Sequence, residues 1–433
     1  MALIIPARLI YRIIFSIYYP FLYKIIVIRL IRSNLLFGLN ISEKIMTVEI
    51  AIIRYGDPIA ECDEKKYRFD SVYGYTEQYE FAAGKRKTLM IGKRDRLARK
   101  KTENRIYKVF PISVSGWSVK RWSLRIIYEL YEFLLLIRYR PKIIAVVGAP
   151  VDAIIPYLFA KLFRKKMVLV FHSEIYHNRN IISKFIQKFT IQIVRDKKYV
   201  RTMCNGPLPY TQLVDSGINP DDIEIHSLYY PPEFFQVQKI EPIFSEPEKF
   251  NILFVGRFDK SKGVLDIIEV ARKVVPKTDG NAHFFLIGDG KLRDTILRKI
   301  DEFDLNNNVK ILGMRQNNTI YSYMSSSDVV LVPSYYECFG KTLAEAMISG
   351  TPAIAYNTGG LKFQIEDGVD GFLIPTGDID SMAERIIRLY RNPTLRERIG
   401  KQAAKKRELY NHKENTLGAK LKAIFEQNPD IFG

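Results

Sequence analysis

The sequence of 433 residues contains little cysteine, histidine or tryptophan. Its three cysteines (Cys62, Cys204 and Cys338) are widely spaced, which excludes a disulfide framework and a Cys-x-x-Cys metal site and is typical of a reducing compartment. No histidine lies at ligand spacing from a cysteine, so a zinc site is not predicted. The sequence also lacks the run of roughly 20 apolar residues that a membrane-spanning helix needs.

Positive charge is abundant and unevenly distributed. The net charge is +19, and the whole basic excess lies in residues 1–200, notably in Lys85–Arg105 and Arg164–Lys166. Basic clusters are typical of contact with nucleic acid or with an anionic membrane surface. The sequence has no RNA-binding or helix-turn-helix motif, so nucleic acid is not predicted as a partner. A solvated basic face without a partner stays open.

Residues 1–40 are rich in bulky apolar side chains but are interrupted by basic ones, and the longest stretch without charge is Ile13–Tyr23. A wide apolar face edged by Arg8 and Arg12 predicts a helix lying in the plane of a membrane surface. The protein would then be peripheral on the inner, cytoplasmic face of the cell membrane. A signal peptide or signal anchor is the first alternative, although Lys24–Arg32 occupies the place of a cleavage site. A helix docked on the protein's own core is the second.

Strands alternate with helices along the rest of the chain, which predicts an α/β fold with two doubly wound parallel sheets. The first domain is expected at residues 47–230 and the second at residues 250–400. A proline-rich linker at residues 231–249 separates them. Residues 401–433 form a terminal segment, in which the pattern predicts one helix from Lys405 to Phe425.

Residues 328–360 carry the strongest functional signal. A hydrophobic strand, Val329–Val332, is followed by a turn, and a helix begins near Lys341. Because the carboxyl end of a buried strand meets a helix N-terminus there, an anionic ligand is expected at this point. Glu337 precedes the helix and Glu345 lies about one turn inside it. Two acids beside an anion site suit a ligand that has phosphates next to hydroxyl-rich sugars.

The spacing Glu337-x7-Glu345 around Phe339-Gly340 resembles the retaining family 4 glycosyltransferases, whose GT-B fold has two Rossmann-like domains facing a cleft. Further similar motifs occur in the family's order: Gly256–Gly263, Leu286–Gly290, Ile311–Met314, Gly359-Gly360 and Glu366–Pro375. The resemblance is sharp over residues 251–375 and vaguer over residues 47–230. It implies that the C-terminal helix packs back toward the first domain.

The resemblance implies a nucleotide-sugar donor site in the second domain. Arg257 and Lys262 would hold the diphosphate, since arginine offers a fork and lysine a compact charge. Glu345 would accept hydrogen bonds from the ribose hydroxyls, and Glu337 would contact the transferred sugar. The turn containing Met314 would line the base pocket.

Three other positions complete the predicted site. The backbone N–H groups near Phe339 and Gly340 would face the sugar or the phosphates. His172 ends a strand where the family often has a histidine near the donor sugar, although a core or loop histidine is the alternative. The family's first strand runs into a loop with paired glycines, whereas this chain has Gly56 alone, which leaves the acceptor side undefined.

A metal ion is not predicted, and no other cofactor is. Asp378-Ile379-Asp380 has the spacing of a metal-binding Asp-x-Asp motif, but it opens a helix and is interpreted as a cap. Without a metal, Arg257 and Lys262 would stabilise the leaving diphosphate. Together with Glu337 and His172 they form the predicted catalytic set.

The sequence thus predicts a retaining glycosyltransferase that moves a sugar from a UDP- or GDP-sugar to a glycan, a lipid-linked acceptor or a cell-envelope polysaccharide. A soluble transferase acting on a small molecule or an oligosaccharide is one alternative. A non-catalytic GT-B scaffold that recruits another transferase is the other.

Overall fold

The computed structural model describes residues 47–55, 82–94, 98–101, 103–111, 129, 131–148, 150–172, 174–175, 181–230, 244 and 248–426. The predicted interfacial segment at residues 1–40, Gly56 and most of the predicted linker lie outside these residues. Within the described part of the chain, no helix combines the length and apolar character that crossing a bilayer requires.

Two sheets organise the described residues. The first contains β1 (Ile50–Tyr55), β2 (Thr88–Arg94), β3 (Ala98–Lys101), β4 (Arg105–Pro111), β5 (Ile143–Gly148), β6 (Lys166–Phe171), β7 (Val200–Asn205) and β8 (Ile223–His226). The second contains β9 (Phe250–Val255), β10 (Ala282–Ile287), β11 (Val309–Gly313), β12 (Val329–Val332), β13 (Ala353–Tyr356) and β14 (Phe372–Ile374).

The first sheet has the order β3-β4-β2-β1-β5-β6-β7-β8. Its strands are parallel except for β3, which runs antiparallel to β4 at the edge. The sequence pattern did not predict β3 and β4, because they lie in and beside a basic stretch that hides the apolar alternation of a strand. Arg105 is nevertheless buried, and its guanidinium donates hydrogen bonds to the carbonyls of Arg86 at 2.7 Å and Gly84 at 2.5 Å.

The second sheet has the order β11-β10-β9-β12-β13-β14, and its described strand pairs are all parallel. The chain moves outward from β9 in one direction through β10 and β11, and then resumes on the other side of β9 with β12. The point between β9 and β12 is therefore a topological switch point, where open α/β sheets place their ligands beyond the carboxyl ends of the strands.

Helices cover both faces of the two sheets. They are α1 (Ile154–Leu162), α2 (Ile181–Arg195), α3 (Pro207–Asp215), α4 (Val264–Val274), α5 (Arg293–Glu302), α6 (Asn317–Ser325), α7 (Lys341–Ile348), α8 (Ile379–Arg391), α9 (Pro393–Ala404) and α10 (Leu417–Glu426). Residues 131–139 are also helical. Each sheet is buried between two apolar clusters, one on either face. The predicted arrangement of two doubly wound, largely parallel sheets is confirmed.

The prediction of one helix from Lys405 to Phe425 is wrong. The chain forms 3-10 turns at Lys405–Tyr410 and Lys413–Asn415, and only then α10. In a continuous helix, the backbone carbonyls of this segment would accept hydrogen bonds from later residues of the same helix. Two of them accept hydrogen bonds from another part of the chain instead. Tyr410 accepts a hydrogen bond from the Tyr230 amide at 3.1 Å, and Asn415 accepts one from the Ser227 amide at 2.9 Å. These tertiary bonds to the segment after β8 replace the helical ones.

After this break, α10 packs on the first sheet rather than the second. Its buried residues Leu417, Leu421, Ile424 and Phe425 join the apolar cluster that covers one face of β1, β5, β6 and β7. A separate small cluster, here called the seam, joins the two halves of the chain. Its members are Leu228, Tyr230, Tyr321, Ala344, Ile348 and Tyr410.

Candidate functional site

A pocket of about 270 Å³ opens at the carboxyl ends of β9, β10 and β11, against the N-terminus of α7. Residues from the loop after β9, the turn after β11 and the first two turns of α7 line it, among them Gly256, Arg257, Met314, Lys341, Thr342 and Glu345. The pocket therefore occupies the switch-point edge of the second sheet, as the sequence predicts for the donor site. Of the predicted donor residues, it brings together Arg257, Met314 and Glu345.

The loop after β9 carries both predicted diphosphate cations. The Arg257 side chain is 76% exposed, and its guanidinium lies 3.2 Å from the Asp259 carboxylate. The Ser261 hydroxyl donates to the same carboxylate at 2.5 Å, which fixes the loop internally. Gly263 ends the loop with φ +65°, and a Cβ there would collide with the Pro333 carbonyl. Only glycine fits this crossing of the loop over the end of β12.

Lys262 and Glu337 form an ion pair in this structure. Each side chain is about one-fifth exposed, so the pair lies at the protein surface of the site rather than in the core. Lys262, which is predicted to bind the diphosphate, and Glu337, which is predicted to bind the transferred sugar, are thus in direct contact with each other. Lys262 has further N–H donors and Glu337 a second carboxylate oxygen, so each can contact a ligand while the pair stays intact.

The turn after β12 is held by the glycine pair that follows β13. The Gly360 amide donates to the Glu337 carbonyl at 2.8 Å. A Cβ at Gly359 would collide with the Glu337 carbonyl, and a Cβ at Gly360 would collide with the Cys338 carbonyl. The two backbone segments therefore pack at a distance that only glycine allows. The Gly-Gly motif therefore sets the position of Glu337 without contacting the pocket itself.

Phe339 and Gly340 connect this turn to α7. Gly340 is the N-cap of the helix, with φ +87° in the left-handed region. The Phe339 ring packs against Gly206, which follows β7 of the first sheet, and lies edge-on to the Tyr410 ring at 6.3 Å. The Phe339 carbonyl accepts a hydrogen bond from the side-chain amide (Nε2) of Gln364. The ring thus belongs to the contact between the two halves, and neither Phe339 nor Gly340 lines the pocket.

Glu345 is the part-buried acid that lines the pocket. The Tyr230 hydroxyl donates a hydrogen bond to its Oε1 at 3.3 Å, and Lys341 lies one turn earlier on the same helix. Burial raises the pKa of Glu345 to about 7, although Lys341 and the Tyr230 hydrogen bond both act to lower it. The carboxyl therefore holds its proton to a higher pH than an ordinary glutamate does.

His172 lies at the end of β6 and is part-buried. Its ring is 5.2 Å from that of His226, which ends β8. Burial, together with the neighbouring His172 and Lys420, holds the pKa of His226 well below its usual range. The loop after β6 also reaches the second half, because the backbone of Glu174 lies near enough to the Tyr336 hydroxyl and the Cys338 thiol to act on the pKa of each. The strand ends of the first sheet thus approach the turn that carries Glu337.

Residues 236–406 match the family model described as glycosyl transferases group 1. The chain contains a glycosyl transferases group 1 domain. It is similar to the trehalose synthase of Pyrococcus horikoshii, at 36% identity over 36% of this chain and 39% of that protein. It is also similar to the N-acetyl-alpha-D-glucosaminyl L-malate synthase of Bacillus anthracis, at 32% identity over 41% of this chain and 45% of that protein. The chain thus matches less than half the length of each of these relatives.

The fold extends beyond the group 1 domain. The crystal structure of HepE from Anabaena in complex with UDP superposes with a TM-score of 0.62 at 15% identity, over 87% of this chain and 98% of that one. At this identity the likeness shows the fold alone: two Rossmann-like domains in the GT-B arrangement.

Within the group 1 domain, the Asp-x-Asp motif caps a helix. Asp378 Oδ1 accepts from the Ser381 amide at 3.0 Å, and Oδ2 accepts from the Ser381 hydroxyl at 2.7 Å. Asp380 lies 2.7 Å from Lys273 Nζ. Over the ranges that the structure describes, no group of three or more His, Cys, Asp or Glu side chains is arranged to hold a metal ion.

Sequence reasoning missed two residues that act on the pocket acid, Glu345. Lys341 had a visible signal, because it precedes Glu345 by four residues and so shares its helix face. Tyr230 had none, since 115 residues separate it from Glu345 and it follows a strand of the other sheet. Met314 lies at the rim with 72% of its surface exposed, while the backbone beside it, at Gly313, ends β11.

Proposed function

We propose that this chain is a retaining glycosyltransferase that transfers a sugar from a UDP- or GDP-sugar to a glycan or lipid-linked acceptor. The observation that carries the proposal is the pocket at the switch point of the group 1 domain. It joins an exposed arginine, a helix N-terminus and a part-buried acid within one cavity of about 270 Å³. A cation and helix amides suit a diphosphate, and a carboxylate suits ribose hydroxyls.

In the proposed reaction, the bond between the anomeric carbon and the diphosphate oxygen breaks, and a bond to the acceptor oxygen forms. The acceptor's proton passes to the leaving phosphate oxygen. Arg257, the amides at the start of α7 and Lys262 stabilise the negative charge that develops on the diphosphate. Glu337 orients the sugar through its hydroxyls, and His172 approaches it from the first half. Each step uses only groups of the chain and its two substrates.

Calorimetry with UDP, GDP, ADP and their sugars, with and without magnesium, tests the donor half. Arg257→Ala should weaken binding of the preferred nucleotide by about 10- to 100-fold, because charge-assisted hydrogen bonds are worth roughly 1.5–3 kcal/mol. Arg298→Ala is the matched control, since Arg298 is exposed on α5 and does not line the pocket. Failure of the wild type to bind any nucleotide would refute the proposal, and binding without turnover would favour a non-catalytic scaffold.

We further propose that the first half faces an anionic membrane surface, at the inner side of the cell membrane. Among its described residues, exposed apolar side chains lie beside basic ones. Phe185 on α2 is 56% exposed between exposed Lys184 and Lys188, and exposed Leu162 ends α1 just before Arg164. This pairing of apolar and basic groups suits a lipid interface.

Vesicle co-sedimentation tests the membrane contact. Binding should rise with the fraction of anionic lipid and fall with added salt. Phe185→Ser should reduce it, whereas Leu297→Ser, which alters an exposed leucine on α5 of the second half, should not. Equal binding to neutral and anionic vesicles would contradict the membrane proposal and leave the donor site untouched.

A further inference from the structure

Tyr230 links the segment that leaves the first sheet to the wall of the pocket. Its side chain is 0% exposed within the seam. The Tyr230 amide donates to the Tyr410 carbonyl at 3.1 Å, and the two rings meet edge-on at 5.9 Å. Ala344 and Ile348 of α7 complete the packing. Backbone and ring together therefore fix Tyr230 against the helix that carries Glu345.

The hydroxyl of this fixed ring points to the pocket acid. It donates to Glu345 Oε1 at 3.3 Å, and Glu345 itself lines the pocket. A carboxylate has a second oxygen and further lone pairs, so Glu345 can accept from Tyr230 on one side and from a ligand on the other. Tyr230 thus supports the acid from behind without occupying the cavity.

The hydrogen bond from Tyr230 affects the ionisation of Glu345. Burial raises the pKa of the carboxyl to about 7, and two neighbours, Lys341 and Tyr230, favour the ionised form. The other charged side chains that line the pocket are Arg257 and Arg315. A protonated acid accepts hydrogen bonds from hydroxyl groups more weakly than a carboxylate does. Loss of Lys341 or of the Tyr230 hydroxyl should therefore lower the affinity for any ligand whose hydroxyl groups hydrogen-bond to Glu345.

We propose that Tyr230 is a positioning residue that fixes the Glu345 carboxylate for the ribose hydroxyls of the donor. The proposal rests on the proposed nucleotide-sugar function. It makes donor affinity sensitive to the segment between the two sheets, because Tyr230 belongs to that segment and not to the group 1 pocket. A movement that withdraws Tyr230 by a few ångströms would loosen the donor without any change in the pocket's own residues.

Affinity measured against pH tests this role. The probe is UDP-glucose, or the nucleotide sugar that the wild type prefers, because its diphosphate has no group that titrates between pH 6 and 8.5. Wild-type affinity should fall about tenfold between pH 8 and pH 6 as Glu345 takes up a proton. Tyr230→Phe removes only the hydroxyl, so it should shift the midpoint of this fall to higher pH and weaken binding several-fold at pH 7. At pH 8.5 its affinity should approach that of the wild type.

The control is Tyr410→Phe, which deletes a hydroxyl from the facing ring of the same cluster. That hydroxyl donates to Gln364 at 3.4 Å rather than to Glu345, so the pH profile should match the wild type. Glu345→Gln should remove the pH dependence. If Glu345→Gln does so while Tyr230→Phe keeps the wild-type profile, the inference is overturned and the proposed function stands. If the wild type binds no nucleotide sugar at all, both are overturned.

Discussion

Replacing Glu345 by glutamine should stabilise the protein at pH 8 and leave its stability nearly unchanged at pH 4. In the folded chain, burial raises the pKa of this carboxyl from 4.5 to about 7. Between these values the unfolded chain has released a proton that the folded chain still holds. The free energy of unfolding therefore falls as the pH rises through this window. Glutamine fills the same volume and cannot ionise, so the variant avoids that loss.

The size of the effect follows from the gap of about 2.5 between the two pKa values. Each pKa unit corresponds to about 1.36 kcal/mol, which gives a difference of about 3 kcal/mol between variant and wild type above pH 7. Below pH 4.5 both side chains are neutral. Tyr230 can donate to the amide oxygen of glutamine as it does to the acid, so the difference there should be close to zero.

Urea unfolding of both proteins at pH 4, 5, 6, 7 and 8, without nucleotide, measures this difference directly. Titrating groups that do not interact with Glu345 contribute equally to both proteins and cancel in the subtraction. Lys341 does interact with it, because the Glu345 charge acts to raise the pKa of Lys341, so the measured difference is that of the pair. Glu384→Gln is the matched control, because Glu384 is exposed on α8 and does not line the pocket. A Glu345→Gln difference that is flat across this range would refute the reasoning, since it would mean that folding leaves the acidity of Glu345 unaltered.

Three further changes test the loop and the helix cap. Gly263→Ala should cost more than about 1 kcal/mol of stability and weaken nucleotide binding, because both the positive φ of Gly263 and its contact with Pro333 exclude a Cβ. Gly280 is the control, since it has a similar φ but open space around it. In thermal melts, Gly280→Ala should show only the cost of the positive φ. Lys262→Ala should lower turnover strongly in a donor-consumption assay, whereas exposed Lys260→Ala on the same loop should not, and equal rates would remove Lys262 from the leaving-group role. Asp378→Ala should cost about 1 kcal/mol in a melt through loss of the cap, with turnover unaffected by a chelator before or after the change.

The second sheet could be predicted closely from the sequence, because its signals are local. Val329–Val332 is a short apolar run, the helix after it begins at Lys341, and Asp378 stands where a cap is expected. Each depends on residues within one or two turns of each other. The family resemblance implied that Arg257 and Glu345 would share a site, and both line the pocket at the carboxyl edge of the second sheet.

Contacts between distant parts of the chain could not be predicted in this way. The pairing of Lys262 with Glu337 depends on how the loop after β9 crosses β12, which one glycine conformation controls. The hydrogen bond from Tyr230 to Glu345 depends on the packing of the two halves. The break before α10 has the same origin, since its carbonyls bond to the segment after β8 and no local pattern encodes that choice.

The packing of α10 on the first sheet has a consequence for how this molecule could be recombined. The first sheet and the helix that covers it come from chain segments before and after the second sheet. In topological terms, the second half is therefore an insertion between β8 and α10. A chimera that exchanges residues 250–404 with those of a relative would carry over the whole donor pocket and leave the apolar face of the first sheet covered. A cut made simply after residue 249 would separate α10 from the surface it shields. Modular exchange in this architecture therefore has two junctions.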